Sequence, residues 1–213
     1  MTPPPTPRVT VDFAEMSAAR RYFFMISAIV PRPIAWVTSL DRHGVVNLAP
    51  FSFFQGVCAD PPTLMLAISR HKKRGEGKDS LRQIEETGEF VVNVVTESVW
   101  DEMLVSSLEF PAGTSELERL GLETFPADEV AAPCVSASPV NLECRLAERV
   151  DLTGCVALFG RILRAHVEEP LLDERGSIDP EKLRPLARLG GSYYAPFGGA
   201  VRRKPPDGWL SDD

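Results

Sequence analysis

Short apolar runs of strand length, separated by turn signals and broken by one distinct helical pattern, constrain this chain more than any other feature of it. Residues 34–39 (Ile-Ala-Trp-Val-Thr-Ser) are rich in β-branched and aromatic side chains, which suit a pleated, half-buried surface. They run into the polar turn Asp41-Arg42-His43-Gly44 before Val45 and Val46 resume the pattern, so a hairpin is expected. A further β-rich run covers 47–58, Asp60-Pro61-Pro62 breaks it, and 63–68 makes the next strand. Residues 89–95 are apolar over a strand's length, and 140–150 and 156–167 can pair as an antiparallel hairpin across 151–155. Some seven strands joined by short turns fit a closed or partly open antiparallel barrel. The alternating β and α units of a doubly wound sheet are missing.

The helical excursion is centred on 78–87, where Leu81 and Ile84 repeat at a spacing of three, Asp79 can cap the first turn and Gly88 supplies the stop. Short helices are also expected over 13–25 and 97–108, and after the S-x-x-E capping box of Ser115 and Glu118. From 171 to 199 the spacing predicts one short helix and then irregular chain. The 213 residues read as a single domain over 13–199 between two tails, a proline-rich one at 1–12 (Pro3, Pro4, Pro5, Pro7) and another at 200–213 (Pro205, Pro206).

A net charge of −7 argues against non-specific binding to nucleic acid or anionic membranes, which depends on cation density. The longest apolar stretch, 22–30, falls short of the roughly 20 residues a membrane span needs, and the start lacks the pattern of a secretory signal. A cytoplasmic location is expected. Cys58, Cys134, Cys144 and Cys155 form no C-x-x-C pair and read as buried, reduced thiols. His43, His71 and His166 have no acid at ligand spacing, so no metal centre is expected.

One segment reverses the acidic balance: Arg70, Lys72, Lys73, Arg74 and Lys78 stand against the single acid Glu76. A small anionic ligand could use it, although a solvated loop between strand and helix would have the same composition. Gly75-Glu76-Gly77-Lys78-Asp79 fails as a P-loop, because Lys72 replaces the first Gly and Asp79 the magnesium-binding Ser or Thr. It fails as a dinucleotide fingerprint at Ser80, and no Ser sits in a G-x-S-x-G elbow. What remains is a set of small polar residues at strand ends (Thr38, Ser39, Asn47, Ser52), then Ser69-Arg70, then Lys78-Asp79-Ser80 opening a helix. Hydroxyls, a guanidinium and a helix N-terminus together suit a phosphate.

Pro31-Arg32-Pro33-Ile34-Ala35-Trp36-Val37-Thr38-Ser39 followed by Asn47-Leu48-Ala49-Pro50-Phe51-Ser52-Phe53-Phe54 resembles the flavin reductase-like, FMN-binding family. Asp60-Pro61-Pro62, Lys78-Asp79-Ser80-Leu81, Thr87-Gly88-Glu89-Phe90-Val91-Val92-Asn93, Ser138-Pro139-Val140, Leu142-Glu143-Cys144 and Leu186-Ala187-Arg188-Leu189-Gly190-Gly191 with Tyr194 are similar to it in the same order. The resemblance covers roughly residues 25–195. It implies a mainly β fold with accessory helices, an antiparallel split β-barrel, and a homodimer with one FMN, or FAD in some members, near the subunit interface. By this resemblance Thr38 and Ser39 contact the ring edge or phosphate, and Asn47, Ala49, Phe51 and Ser52 line the ring and ribityl site. Ser69, Arg70, Lys78, Asp79 and Ser80 surround the phosphate, while Arg188, Gly191 and Tyr194 approach late in the chain. Phe53 and Phe54 are assigned to the core, and the aromatic excess over 51–54 is expected to feed a dimer interface.

The implied activity is hydride transfer from NAD(P)H to flavin, with a flavin-dependent monooxygenase or another acceptor as partner. That chemistry belongs to the cofactor and needs no general base. No residue is assigned to nicotinamide recognition. An FMN-binding electron carrier without nicotinamide activity, and a barrel holding some other phosphorylated ligand, are the alternatives.

Overall fold

A computed structural model describes residues 6–70, 77–110 and 115–203. Helix α1 (Ala18–Ala28) leads into β1 (Arg32–Pro33), β2 (Ala35–Leu40), β3 (Val46–Phe51), β4 (Phe54–Ala59) and β5 (Pro62–Ser69). Then come α2 (Asp79–Thr87), β6 (Glu89–Val94), α3 (Trp100–Ser106), α4 (Glu116–Leu120), β7 (Thr124–Phe125) and β8 (Cys134–Val135). The long strands β9 (Val140–Asp151) and β10 (Cys155–Val167) precede α5 (Pro180–Leu183), β11 (Ala187–Arg188) and β12 (Tyr194–Ala195).

Seven strands form one antiparallel sheet in the order β3-β2-β6-β9-β10-β5-β4, which curls until β3 meets β5. The period-2 alternation of strands fills the interior. Ala35 and Val37 of β2, Leu64, Leu66 and Ile68 of β5, Phe90 and Val92 of β6, Cys144 of β9, and Val156 and Leu158 of β10 make one apolar core. Leu81 and Ile84 of α2 join it. The spacing of three that predicts this helix is therefore the face it turns to the barrel.

Outside the sheet, Trp36 and Leu48 pack with Val99, Met103, Leu117 and Leu186 under α3 and α4. Between these layers Asn93 is fully buried. Its amide nitrogen donates to Trp36 O at 2.8 Å and to Thr38 Oγ1 at 3.4 Å. Its oxygen accepts from Val135 N at 2.9 Å and from Asn141 Nδ2 at 2.7 Å. Every donor and lone pair of the amide is used.

Several expectations are corrected. The first helix begins at Ala18 rather than 13, after Ser17, whose hydroxyl accepts from Arg20 N. The helix expected over 97–108 divides into a 3₁₀ turn at Glu97–Val99 and α3. At α2, Lys78 is the N-cap and Asp79 the first helical residue, and no side-chain cap forms. Ser115 likewise makes no side-chain cap bond. The end of the chain contains β11 and β12, which join β1 in a three-stranded sheet. Two-residue strands carry no periodicity to read. Cys58 is exposed on β4 at the sheet's edge and Cys155 is half-buried, so only Cys134 and Cys144 are core thiols. Burial pushes the Cys134 thiol up to about 12, with Glu143 and Asp128 adding to it.

Phe53, expected in the core, is half-buried and meets Tyr22 of α1 with ring centroids 6.3 Å apart. Phe51 and Phe54 pack against the barrel core, whereas α1 buries only Ile26 and leaves Tyr22, Phe23, Phe24 and Met25 exposed. Buried Arg32 anchors this helix by donating to Ile26 O at 2.7 Å, Ile29 O at 2.6 Å and Leu189 O at 2.8 Å. Among the described residues no helix is long and apolar enough to cross a membrane.

Gly160 lies at an irregularity in the β9–β10 pairing, directly over the Phe90 ring. A Cβ there would overlap that ring and stand 3.4 Å from Cys144 Cβ. Phe90 is fully buried and has no room to retreat. Gly160→Ala should therefore destabilise the chain by about 1–3 kcal/mol, the usual cost of overpacking, read as a lower urea midpoint at unchanged slope.

Candidate functional site

The hairpin of β2 and β3 and the start of α2 face one another across a cleft. Asn47, Ala49 and Phe51 come from β3, and Lys78, Asp79 and Ser80 from the helix start. Asn47 Nδ2 donates to Ser80 Oγ at 2.7 Å, which joins strand to helix and leaves the Ser80 hydroxyl proton free to donate. The uncapped first turn of α2 offers main-chain N–H groups to an anion. Lys78, half-buried at the rim, has no carboxylate partner among the described residues. These donors fit a phosphate-bearing ligand, and the apolar edges of Ala49, Pro50 and Phe51 fit a ring beside it.

The remaining expected residues are placed apart from this cleft. Thr38 and Ser39 are fully buried. Thr38 Oγ1 donates to Pro133 O at 2.6 Å and Ser39 Oγ to Gln83 Oε1 at 2.7 Å, so neither hydroxyl proton faces a ligand. Ser52 is half-buried in the turn after β3. Ser69 is exposed at the end of β5. Arg70 pairs with the Asp151 carboxylate and donates from Nε to Leu152 O at 3.1 Å, at the β9–β10 turn. Lys72, Lys73, Arg74 and Glu76 lie outside the described residues. Arg188 and Tyr194 line a second groove with Trp100 and Asp101, and Ser107 borders both this groove and the first cleft.

Sequence reading missed Gln83 and Glu116. Gln83 stands one turn beyond Ser80 on the same helix face, a spacing that could have marked it. Glu116 left no such signal: its carboxylate accepts from Leu48 N at 2.9 Å, a long-range bond on β3.

A second polar cluster corrects the reading of the histidines. His166 Nε2 is 2.6 Å from Glu143 Oε1, and Asp128 completes a group whose ligand atoms lie within 4.8 Å of one another. Glu143 and His166 lie 23 residues apart on the neighbouring strands β9 and β10, a pairing invisible to local spacing. The fully buried Glu143 carboxylate also accepts from Asp128 N at 3.0 Å and Glu129 N at 2.6 Å, and Arg164 pairs with both Asp128 and Glu129. With its acceptors so engaged, the cluster works as a clamp on 128–129.

The family's profile now adds to the geometry. The flavin reductase like domain matches residues 26–191, and the chain belongs to that family, whose barrel is split as seen here. An uncharacterized protein of Aquifex aeolicus is 38% identical over 86% of this chain and 93% of its own length. Nitrilotriacetate monooxygenase component B from Bacillus cereus superposes with a TM-score of 0.88 at 33% identity, covering 93% of this chain and all of that one (100%). The 2-nitrobenzoate 2-nitroreductase NbaA of Pseudomonas fluorescens gives 0.86 at 29%, over 96% and 100%.

Burial pushes the Glu143 carboxyl up, but the N–H of Asp128, His166 and the N–H of Glu129 outweigh it and hold the group below its ordinary value of 4.5. A carboxyl held low stabilises the fold at neutral pH, and that stability is lost as pH falls through the folded value. Glu143→Gln should lower the urea midpoint at pH 7 and flatten its decline below about pH 4.5. Parallel midpoint-against-pH curves for the two proteins would refute the role.

Proposed function

We propose that the chain binds FMN along the β3–α2 cleft and serves as an NAD(P)H:flavin oxidoreductase. The observation that carries this reading is the meeting of Asn47, Ala49 and Phe51 with Lys78, Asp79 and Ser80 in one cleft at the uncapped end of α2. When bound, the flavin supplies the chemistry, taking a hydride equivalent from NAD(P)H and giving electrons to an acceptor.

The protein's part is binding and orientation. Lys78 offers charge, Ser80 its hydroxyl proton and α2 its first-turn N–H groups to the phosphate. Asn47 holds Ser80 in place from β3, tying strand to helix. Glu116 fixes the β3 backbone by accepting from Leu48 N. Arg70, committed to Asp151, contributes background charge rather than a direct phosphate contact. The likeness to component B of nitrilotriacetate monooxygenase supports an oxygenase as the partner that receives the electrons.

The exposed aromatic face of α1 supports a homodimer. Tyr22, Phe23, Ile29 and Val30 continue into Tyr193, which is 75% exposed, and a patch this apolar ordinarily marks an interface.

Calorimetry should find FMN bound more tightly than riboflavin, and Lys78→Ala should weaken FMN roughly tenfold or more while Arg70→Ala costs less than about fivefold. Equal affinities for FMN and riboflavin would remove the phosphate assignment. Anaerobic NADH or NADPH should bleach the bound flavin; a flavin that neither reduces would make the chain an electron carrier. Light scattering should give a dimer that Phe23→Glu converts to monomer, and a wild-type monomer at full FMN occupancy would end the dimer reading.

A further inference from the structure

Ahead of α1 the chain carries the pattern of a strand. In Arg8-Val9-Thr10-Val11-Asp12-Phe13 polar and apolar side chains alternate, and Val, Thr and Phe all suit a pleated surface with one face covered. Nothing in the same chain covers it. Residues 6–15 are all exposed, Val9 to 89%, and no main-chain group of residues 6–11 is hydrogen-bonded among the described residues. The arm is rooted on the apolar face of α1, where the Phe13 ring stands edge-on to Phe24 with centroids 5.2 Å apart.

The complementary element is β4, the margin of the seven-stranded sheet opposite β3. A barrel strand ordinarily buries every second residue, yet Gln55, Gly56, Val57, Cys58 and Ala59 are all exposed, Val57 to 54%. Both faces are open. On the side away from β5 these five residues make no main-chain bond among the described residues, so the outer row of N–H and C=O groups is open as well. The run also carries no charge, the feature by which sheets commonly keep foreign strands off an edge.

We infer that residues 7–13 of one copy add as an antiparallel strand to the open edge of β4 in a second copy, and that the two copies do this reciprocally. The inference rests on the homodimer reading through the α1 face and names a further segment that crosses. Tyr22 of that face meets Phe53, which directly precedes β4, and Phe13 lies on Phe24, so the root of the arm and the start of the edge share one face. In a two-fold interface a patch meets its own copy, which brings each arm before the other copy's edge. Charge sets the direction. Arg8 and Asp60 are both exposed and have no ion-pair partner among the described residues. Antiparallel pairing with these two opposite each other puts Thr10 opposite Cys58, and Val9 and Val11 opposite Ala59 and Val57. Parallel pairing over the same length would set Asp12 against Asp60, two like charges face to face.

Cys58 supplies the probe, because its thiol is exposed while Cys134 and Cys144 are buried. In the full chain carrying Thr10→Cys, mild oxidation should join the introduced thiol to Cys58 of the other copy. The product is a species of twice the chain mass on a non-reducing gel, with the linked peptides identified by mass spectrometry, and adding Cys58→Ser should abolish it. A second measurement needs no thiol. Thr10→Pro with Val11→Pro removes the N–H at two successive positions, one of which must face the ladder, and should speed amide hydrogen exchange over residues 55–59 severalfold. If light scattering gives a dimer, then no link, a link within one chain, or a Cys58-to-Cys58 link would overturn the arm crossing, as would prolines that leave the exchange over 55–59 unchanged. Each of those results leaves the homodimer standing. A wild-type monomer would instead remove the homodimer reading, and the crossing with it.

Discussion

The carboxamide of Asn93 holds the architecture to one register. Asn93 pairs with Trp36 across one strand junction and with Asn141 across the other, and its side chain reaches Val135 in the layer above. A slip of one residue in β6 would turn this amide into the barrel and send Val92 outward. The apolar interior would then hold an unpaired amide, at a cost of several kcal/mol. The same node brings β8 down onto the sheet, next to the Pro133 carbonyl that accepts from Thr38. Thr38 and Ser39, read from the sequence as ligand contacts, are thus parts of the frame that sets the β2–β3 hairpin at its angle to α2.

The barrel was legible because its strands alternate and its helix repeats. Leu64, Leu66 and Ile68, or Leu81 and Ile84, announce a buried face to any reading of period. Within the cleft, the residues on a helix start and an adjoining strand were legible through the chemistry a phosphate requires and through family resemblance. What stayed hidden depends on distance in the chain. Glu116 reaches Leu48 across 68 residues, and Arg70 is drawn to Asp151 across 81. Nothing near Arg70 in sequence predicts that an acid at the turn of another hairpin will take it. The expectation of buried cysteines failed at Cys58 for a related reason: whether a strand lies at a sheet's edge is a property of the topology and leaves no mark on the strand's own composition.

Charge is distributed here by position more than by number. The acidic surplus of the chain is drawn into pairs along β9, β10 and α2, where Arg149 meets Glu85 and Asp151, and Arg82 meets Asp79 and Glu86. Lys78, Arg32 and Arg188 are left without such partners among the described residues. Lys78 thus stands as a cation at the rim of the β3–α2 cleft, whose lining also carries Asp41, Asp79 and Glu116.

The bond from Glu116 to Leu48 has a consequence beyond placing β3. β3 is one margin of the seven-stranded sheet, and a margin with an open main-chain N–H is a template on which a foreign strand can grow. The Glu116 carboxylate occupies that donor at the middle of the strand and interrupts the row a visiting strand would need. The helix that carries it thereby blocks strand addition along that margin of the sheet.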